Sequence, residues 1–238
     1  MSIAPTTTER TFADFRLPAF DLYRDIHKGI RAELFALTGS AGTLDPSDTV
    51  GWLALAEHTA AVERTLDDHA HHEDTFIDPA LRAHLPELAE VVVTDHARLD
   101  RTFAEIVEVT RAGADAGAGE RRRLAQLAYL QLSSFTSAYL AHQAIEEVDI
   151  SPALERALGV EAIIGIHMAI IGSIPPEDMA LALTMMLPAM NVDDRTELLG
   201  GMQATAPAEA FDAVVDLARS VLVPSDFVAV ARRLELPS

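Results

Sequence analysis

The sequence predicts an all-α fold: an up-down-up-down four-helix bundle over residues 18–155, then a smaller all-helical extension over 156–238. Three observations carry this. Residues 18–155 fall into four long stretches of helical periodicity, separated by breaks that contain proline or glycine. Aromatic residues make up only 5% of a chain that is 49% apolar, and Ala and Leu abound, which favours helices over sheets. A short motif also occurs twice at one fixed offset, as two copies of one helical unit would require.

The elements follow in order. Residues 1–17 form a tail. Pro18 opens the first helix, which runs to "TGSAG" at 38–42. Asp45-Pro46-Ser47 starts the second, which reaches Ile77, just before Pro79. Pro86 precedes the third, which ends near Gly113, and the small-residue segment 112–119 links it to the fourth. The fourth runs from Glu120 to Ile150, before Pro152. Helices of about 20 to 30 residues are the scale of a four-helix bundle. Beyond 155, breakers at 172–176, Pro188, Gly200-Gly201, Pro207 and Pro224 cut the chain into four or five short helices. Six of the seven methionines lie between Met168 and Met202. Two readings of them stand open: core filler for a helical subdomain, or an adaptable pocket lining or oligomer interface. A homodimer through these helices is one expectation.

Composition removes several function classes. There are 37 acids against 18 Lys and Arg, a formal charge of −19, so nucleic acid and anionic membranes are not expected partners. Cysteine is absent, which excludes disulfides, thiolate metal sites and Cys nucleophiles. Any metal must be held by His and carboxylate. The N-terminus has no apolar signal region and no apolar run is long enough to span a membrane, so a cytoplasmic location is expected.

The repeated motif is "HAHHEDTFIDPAL" at 69–81 and "HQAIEEVDISPAL" at 142–154. His69 matches His142, Glu73 matches Glu146, Asp74 matches Glu147, and Pro79-Ala80-Leu81 matches Pro152-Ala153-Leu154. Upstream of each copy lies one more histidine, His27 before the first and His96 before the second. The bundle thus reads as two helical hairpins. Each carries a His on its first helix and His-x-x-x-Glu on its second.

These residues share the apolar stripe of each helix. His27 lies among Tyr23, Ile30 and Leu34, and His69 and Glu73 follow Val62 and Leu66. His96 lies with Val92 and Phe103, and His142 and Glu146 follow Leu124 and Phe135. Residues four apart differ by only about 40° around a helix axis, so all six side chains are predicted to project into the core. Two buried carboxylates without partners cost several kcal/mol each. Four neutral imidazoles and two carboxylates around a pair of metal ions remove that cost.

The neighbours differ. His71 points about 160° away from His69, and His72 lies about 60° off the stripe, where a supporting contact is open to it. Glu147 is about 140° from His142, which makes Glu146 the better ligand and leaves Glu147 as a support or an extra ligand; a π-bulge there would swap the two roles. Asp100 shares the face of His96 and has three open readings: metal ligand, support for a ligand, or a position near an access path. His58 is too far along its helix, and His84 and His167 fall outside the pattern.

His27, His69, Glu73, His96, His142 and Glu146, with the helix ends "EDxxxxP" and "EExxxxP", resemble the hemerythrin-like, or HHE cation-binding, family over residues 18–155. The resemblance implies a four-helix bundle holding two non-haem irons, bridged by the two carboxylates and an oxo, hydroxo or peroxo species. Two positions depart from the oxygen carriers of that family. Asp100 stands where they have a second His, and Glu146 follows its His by four residues where they have five. The poorer nitrogen set points away from reversible O₂ carriage. It points toward an oxidoreductase acting on O₂, peroxide or a small molecule, or toward an oxygen or iron sensor without turnover. Imidazole and carboxylate suit iron and manganese, and zinc also accepts them.

Overall fold

The computed structural model describes residues 16–236, and all regular elements among these are helical. The expected N-terminal tail lies mostly outside the described residues.

The first helix, α1 (Arg24–Thr43), begins later than Pro18 suggests. Asp21 accepts hydrogen bonds from the backbone N–H groups of Tyr23 and Arg24, each at 3.0 Å, and so satisfies donors that the first turn leaves free. Asp48 starts α2 (Thr49–His72) by accepting from Val50 N at 3.0 Å. Here the structure corrects the sequence reading, because Pro79 does not end the helix. A π-helical turn (Glu73–Ile77) follows α2, and α3 (Asp78–His84) continues from it. The same occurs after α5 (Ala118–Ile145), with a π-turn (Glu146–Ile150) and then α6 (Ser151–Leu158). The last wide-turn bonds run from Asp78 N to Glu73 O and from Ser151 N to Glu146 O. Each proline comes one residue later, in the first turn of the next helix, where its missing N–H costs least.

Between these stands α4 (Pro86–Asp115). The linker expected at 112–119 shrinks to Ala116 and Gly117, because α4 stays helical through Gly113. A Cβ at Gly113 would meet the Trp52 ring at 2.0 Å, so only glycine lets the buried indole lie flat there.

The four long helices pack in the cyclic order α1, α2, α4, α5. Their core holds Leu34, Leu37, Trp52, Phe103, Ile106 and Phe135. A second cluster closes the end that carries the π-turns, with Tyr23, Ile77, Leu81, Ile150, Leu154 and Ile163. Ile163 belongs to α7 (Val160–Ser173). Gly159 (φ 82°) makes the turn that folds α7 back over this end, a conformation that favours glycine. The other side of α7 leaves Ile164, Met168 and Ile171 exposed.

The remaining helices are α8 (Pro176–Ala189), α9 (Val192–Thr205), α10 (Ala208–Val221) and α11 (Pro224–Arg233). From α7 onward each begins 16 residues after the last, and each has an acid in its first turn, where the helix dipole favours one. This period escaped the sequence reading because its apolar positions vary from copy to copy. Helices α8–α11 share a separate core of Leu183, Leu187, Leu199, Phe211, Val215 and Phe227. That unit docks on the bundle through α8 against α1. Met185 packs on the bundle core and Met186 on the α8–α11 core. No single described helix is long and apolar enough to cross a membrane, and the apolar pair α7 and α8 is bent by 115°.

Candidate metal centre

All six predicted ligands are buried and converge between the two apolar clusters at the π-turn end. They form two groups of four that share both carboxylates. One is His27, His69, Glu73 and Glu146; the other is Glu73, His96, His142 and Glu146. Within each group one atom from every residue lies within 4.8 Å of the others.

The sharing is by individual oxygens. Glu73 turns Oε1 toward His69 Nε2 and Oε2 toward His96 Nε2, each at 3.2 Å. Glu146 turns Oε2 toward His27 Nε2 at 3.4 Å, and Oε1 toward His142 Nε2 at 3.0 Å and His96 Nε2 at 3.8 Å. Each carboxylate therefore offers one oxygen to each group.

The imidazoles are oriented from behind. His27 Nδ1 lies 3.0 Å from Glu147 Oε1, and Arg31 donates to both oxygens of that carboxylate at 2.7 and 2.9 Å. His96 Nδ1 lies 3.2 Å from Asp74 Oδ1, and His142 Nδ1 lies 3.7 Å from Asp95 Oδ2. A proton on Nδ1 leaves the Nε2 lone pair pointing inward, the tautomer a metal ligand needs. The two hairpins exchange this support. The acid after Glu73 holds His96, and the acid after Glu146 holds His27.

The site's electrostatics fit a cation. His27 Nε2 and His69 Nε2 face each other at 3.1 Å, so two lone pairs compete for one space unless something positive stands between them. Both oxygens of Glu73 and Oε2 of Glu146 are buried without a hydrogen-bond partner among the described residues. Burial pushes Glu73 up to about 7, and the nearby Glu146 adds to this. Burial also pushes His69 well below its ordinary value, with His27 adding to the effect, so His69 stays neutral. Burial opposes charge on His96 too, yet Glu146 and Glu73 push it up to about 11. Protons thus compete with a cation for these atoms.

Other residues fall outside the two groups. Asp100 is exposed beside a cleft that reaches His96. His72 is half-buried with its ring against Phe76, and burial lowers its pKa. Glu147 supports His27 and belongs to neither group. The sequence reading missed Arg31, Asp74 and Asp95 as supports. The signal for Asp74 was available, since the repeat aligns it with Glu147. Tyr23 and Tyr139 also flank the centre, their rings 5.2 Å from His27 and 5.8 Å from His142.

Comparison with curated proteins and with solved structures returns no significant match. A family model does match, the hemerythrin HHE cation binding domain, over residues 19–154. That span holds all four long helices and all six converging side chains, and on this ground the chain belongs to the hemerythrin HHE cation-binding family.

Proposed function

We propose that the chain is a non-haem di-iron protein that activates O₂ or peroxide as an oxidoreductase. One observation carries the dinuclear part: two ligand groups share two carboxylates, oxygen by oxygen. Bound as a ferrous pair, iron supplies reducing electrons to O₂ or peroxide. The chain's own residues do the rest. Glu73 and Glu146 hold the two positions together. Glu147 and Asp74 keep His27 and His96 in the ligating tautomer. Tyr23, Ile77 and Ile150 on one side, and Phe103, Phe135 and Tyr139 on the other, keep bulk water away.

The test is metal analysis with an absorption spectrum of the iron-grown protein, before and after O₂, followed by peroxide turnover. About two irons per chain and many turnovers are expected. One iron per chain at saturation would end the dinuclear reading.

A second reading, an iron or oxygen sensor, is favoured by one contact. The α8–α11 unit is anchored on α1, the helix that carries His27, through ion pairs of Asp194 with Lys28 and Arg24. A sensor would show little turnover and a metal-dependent change in protease sensitivity of α8–α11.

A further inference from the structure

A narrow cleft opens between α2 and α4, lined among others by Glu63, Asp67, Asp100, His96 and Tyr139. Its cavity of about 20 Å³ has room for roughly one water. Three features set it apart from an ordinary acidic surface. First, its inner wall includes His96, one of the six converging ligands. Second, Glu63, Asp67 and Asp100 make no hydrogen bond or ion pair among the described residues. Third, Tyr139 is 5% exposed and lines the cleft, and its hydroxyl has no hydrogen-bond partner among the described residues.

We propose that this cleft is the route by which a divalent cation reaches the buried ligands. Glu63, Asp67 and Asp100 draw the ion in, and the Tyr139 hydroxyl offers it a neutral oxygen at the threshold. The inference rests on the cation-binding reading of the centre. A hydrated divalent ion is too large for a one-water cavity and must shed water on the way. Oxygen ligands along the wall replace that water stepwise. Attraction of a cation by a cleft lined with acids raises association rates about tenfold or more. The route is also one-sided. The cleft meets His96, while His27 is 0% exposed on the opposite side. The cleft lining includes His96 and neither His27 nor His69, so along this route the ion meets the His96 and His142 position first and the His27 and His69 position fills after it.

The experiment is stopped-flow uptake of Co²⁺ by the metal-free full-length chain, followed by the ion's visible absorption, with final stoichiometry from equilibrium dialysis. The wild type is expected to load in two phases. Asp67→Asn with Asp100→Asn should slow the first phase about tenfold and leave the end point unchanged. Ala70→Met, which narrows the cleft without changing charge, should slow it as well. Asp212→Asn with Asp216→Asn makes the same charge change on exposed positions of α10 and should load at the wild-type rate. Loading of the cleft variants at the wild-type rate overturns the route, and so does equal slowing by the α10 control. If the wild type itself takes up no Co²⁺, the cation-binding reading has failed, a result distinct from failure of the route.

Discussion

Glu147 lies 3.0 Å from His27 Nδ1 while Arg31 holds the same carboxylate with two hydrogen bonds. His27 is the one converging side chain on α1, and its orientation depends on an acid from the opposite hairpin. Substituting Glu147 by Ala should weaken cation affinity about 10- to 100-fold, the usual effect of losing such a support. Stoichiometry at saturation should not change. Calorimetric titration with Mn²⁺ checks both. Loss of a whole binding position would make Glu147 a ligand instead.

Glu73→Gln should act with opposite signs in two states. Without metal, burial and Glu146 already disfavour the carboxylate, so a neutral amide should leave the melting temperature unchanged or raise it. With metal the variant should lose the stabilisation that the wild type gains, about 2.7 kcal/mol at free ion 100-fold above Kd. Thermal melts with and without added ion measure the pair. A variant that keeps the full metal-dependent gain would show that Glu73 bridges nothing.

Gly113→Ala should destabilise the bundle by about 2 kcal/mol through overpacking. In an open helix interior the same change stabilises by about 1 kcal/mol. The difference is Trp52, whose ring lies where the new Cβ must go. Trp52 is the only tryptophan, so its emission reports on this place alone. A red shift with a lower denaturation midpoint is expected, and a stabilised variant with unchanged emission would contradict the packing.

Gly29→Val should loosen α8–α11 without touching the metal centre. A Cβ at Gly29 meets Met185 Cε at 3.0 Å and the α8 backbone at 3.3 Å, so α8 must retreat. Gly29 lies about 160° around α1 from His27, so the ligand face is undisturbed. Limited proteolysis should cut α8–α11 faster, with cation stoichiometry unchanged. Equal resistance to protease would mean that α8 does not rest on α1 in solution.

The six converging residues were legible because they repeat at a fixed offset and sit on apolar stripes. Their supports were legible only in part: Glu147 stood among the candidates, while Asp74, Asp95 and Arg31 were missed, for a geometric reason. Asp74, like Glu147, lies well off the inward direction of its own helix, and a stripe analysis alone passes over it. They matter because each reaches the outer edge of an imidazole on a neighbouring helix, which only packing reveals. The helix ends at Pro79 and Pro152 were misread for another reason. Proline usually stops an α-helix, but here a wider turn just before it carries the chain on. In the extension, the breaks at 172–176, Pro207 and Pro224 fall where Gly and Pro placed them, but Pro188 lies within the last turn of α8 and Gly200-Gly201 lie inside α9, so neither ends a helix. The docking of α8 on Gly29 had no sequence signature.

Each π-turn holds one residue more than the α-helical turn it replaces, and this makes the two hairpins unequal under changes of length. Deleting one residue within either turn would restore ordinary helix and rotate everything downstream by about 100°. After Glu146, what lies downstream is α6, the cap α7 and the α8–α11 unit, while all six converging side chains lie upstream or at the turn's first residue. Such a deletion beyond Glu147 would swing the cap and the α8–α11 unit off the bundle and leave the six converging side chains, and the Glu147 support of His27, in place. After Glu73, α4 lies downstream and carries His96. The same deletion there would break the register between the two halves of the shell. The spare residue in the first hairpin sets the register of the centre, whereas its twin in the second sets the seal over it and the seat of the α8–α11 unit.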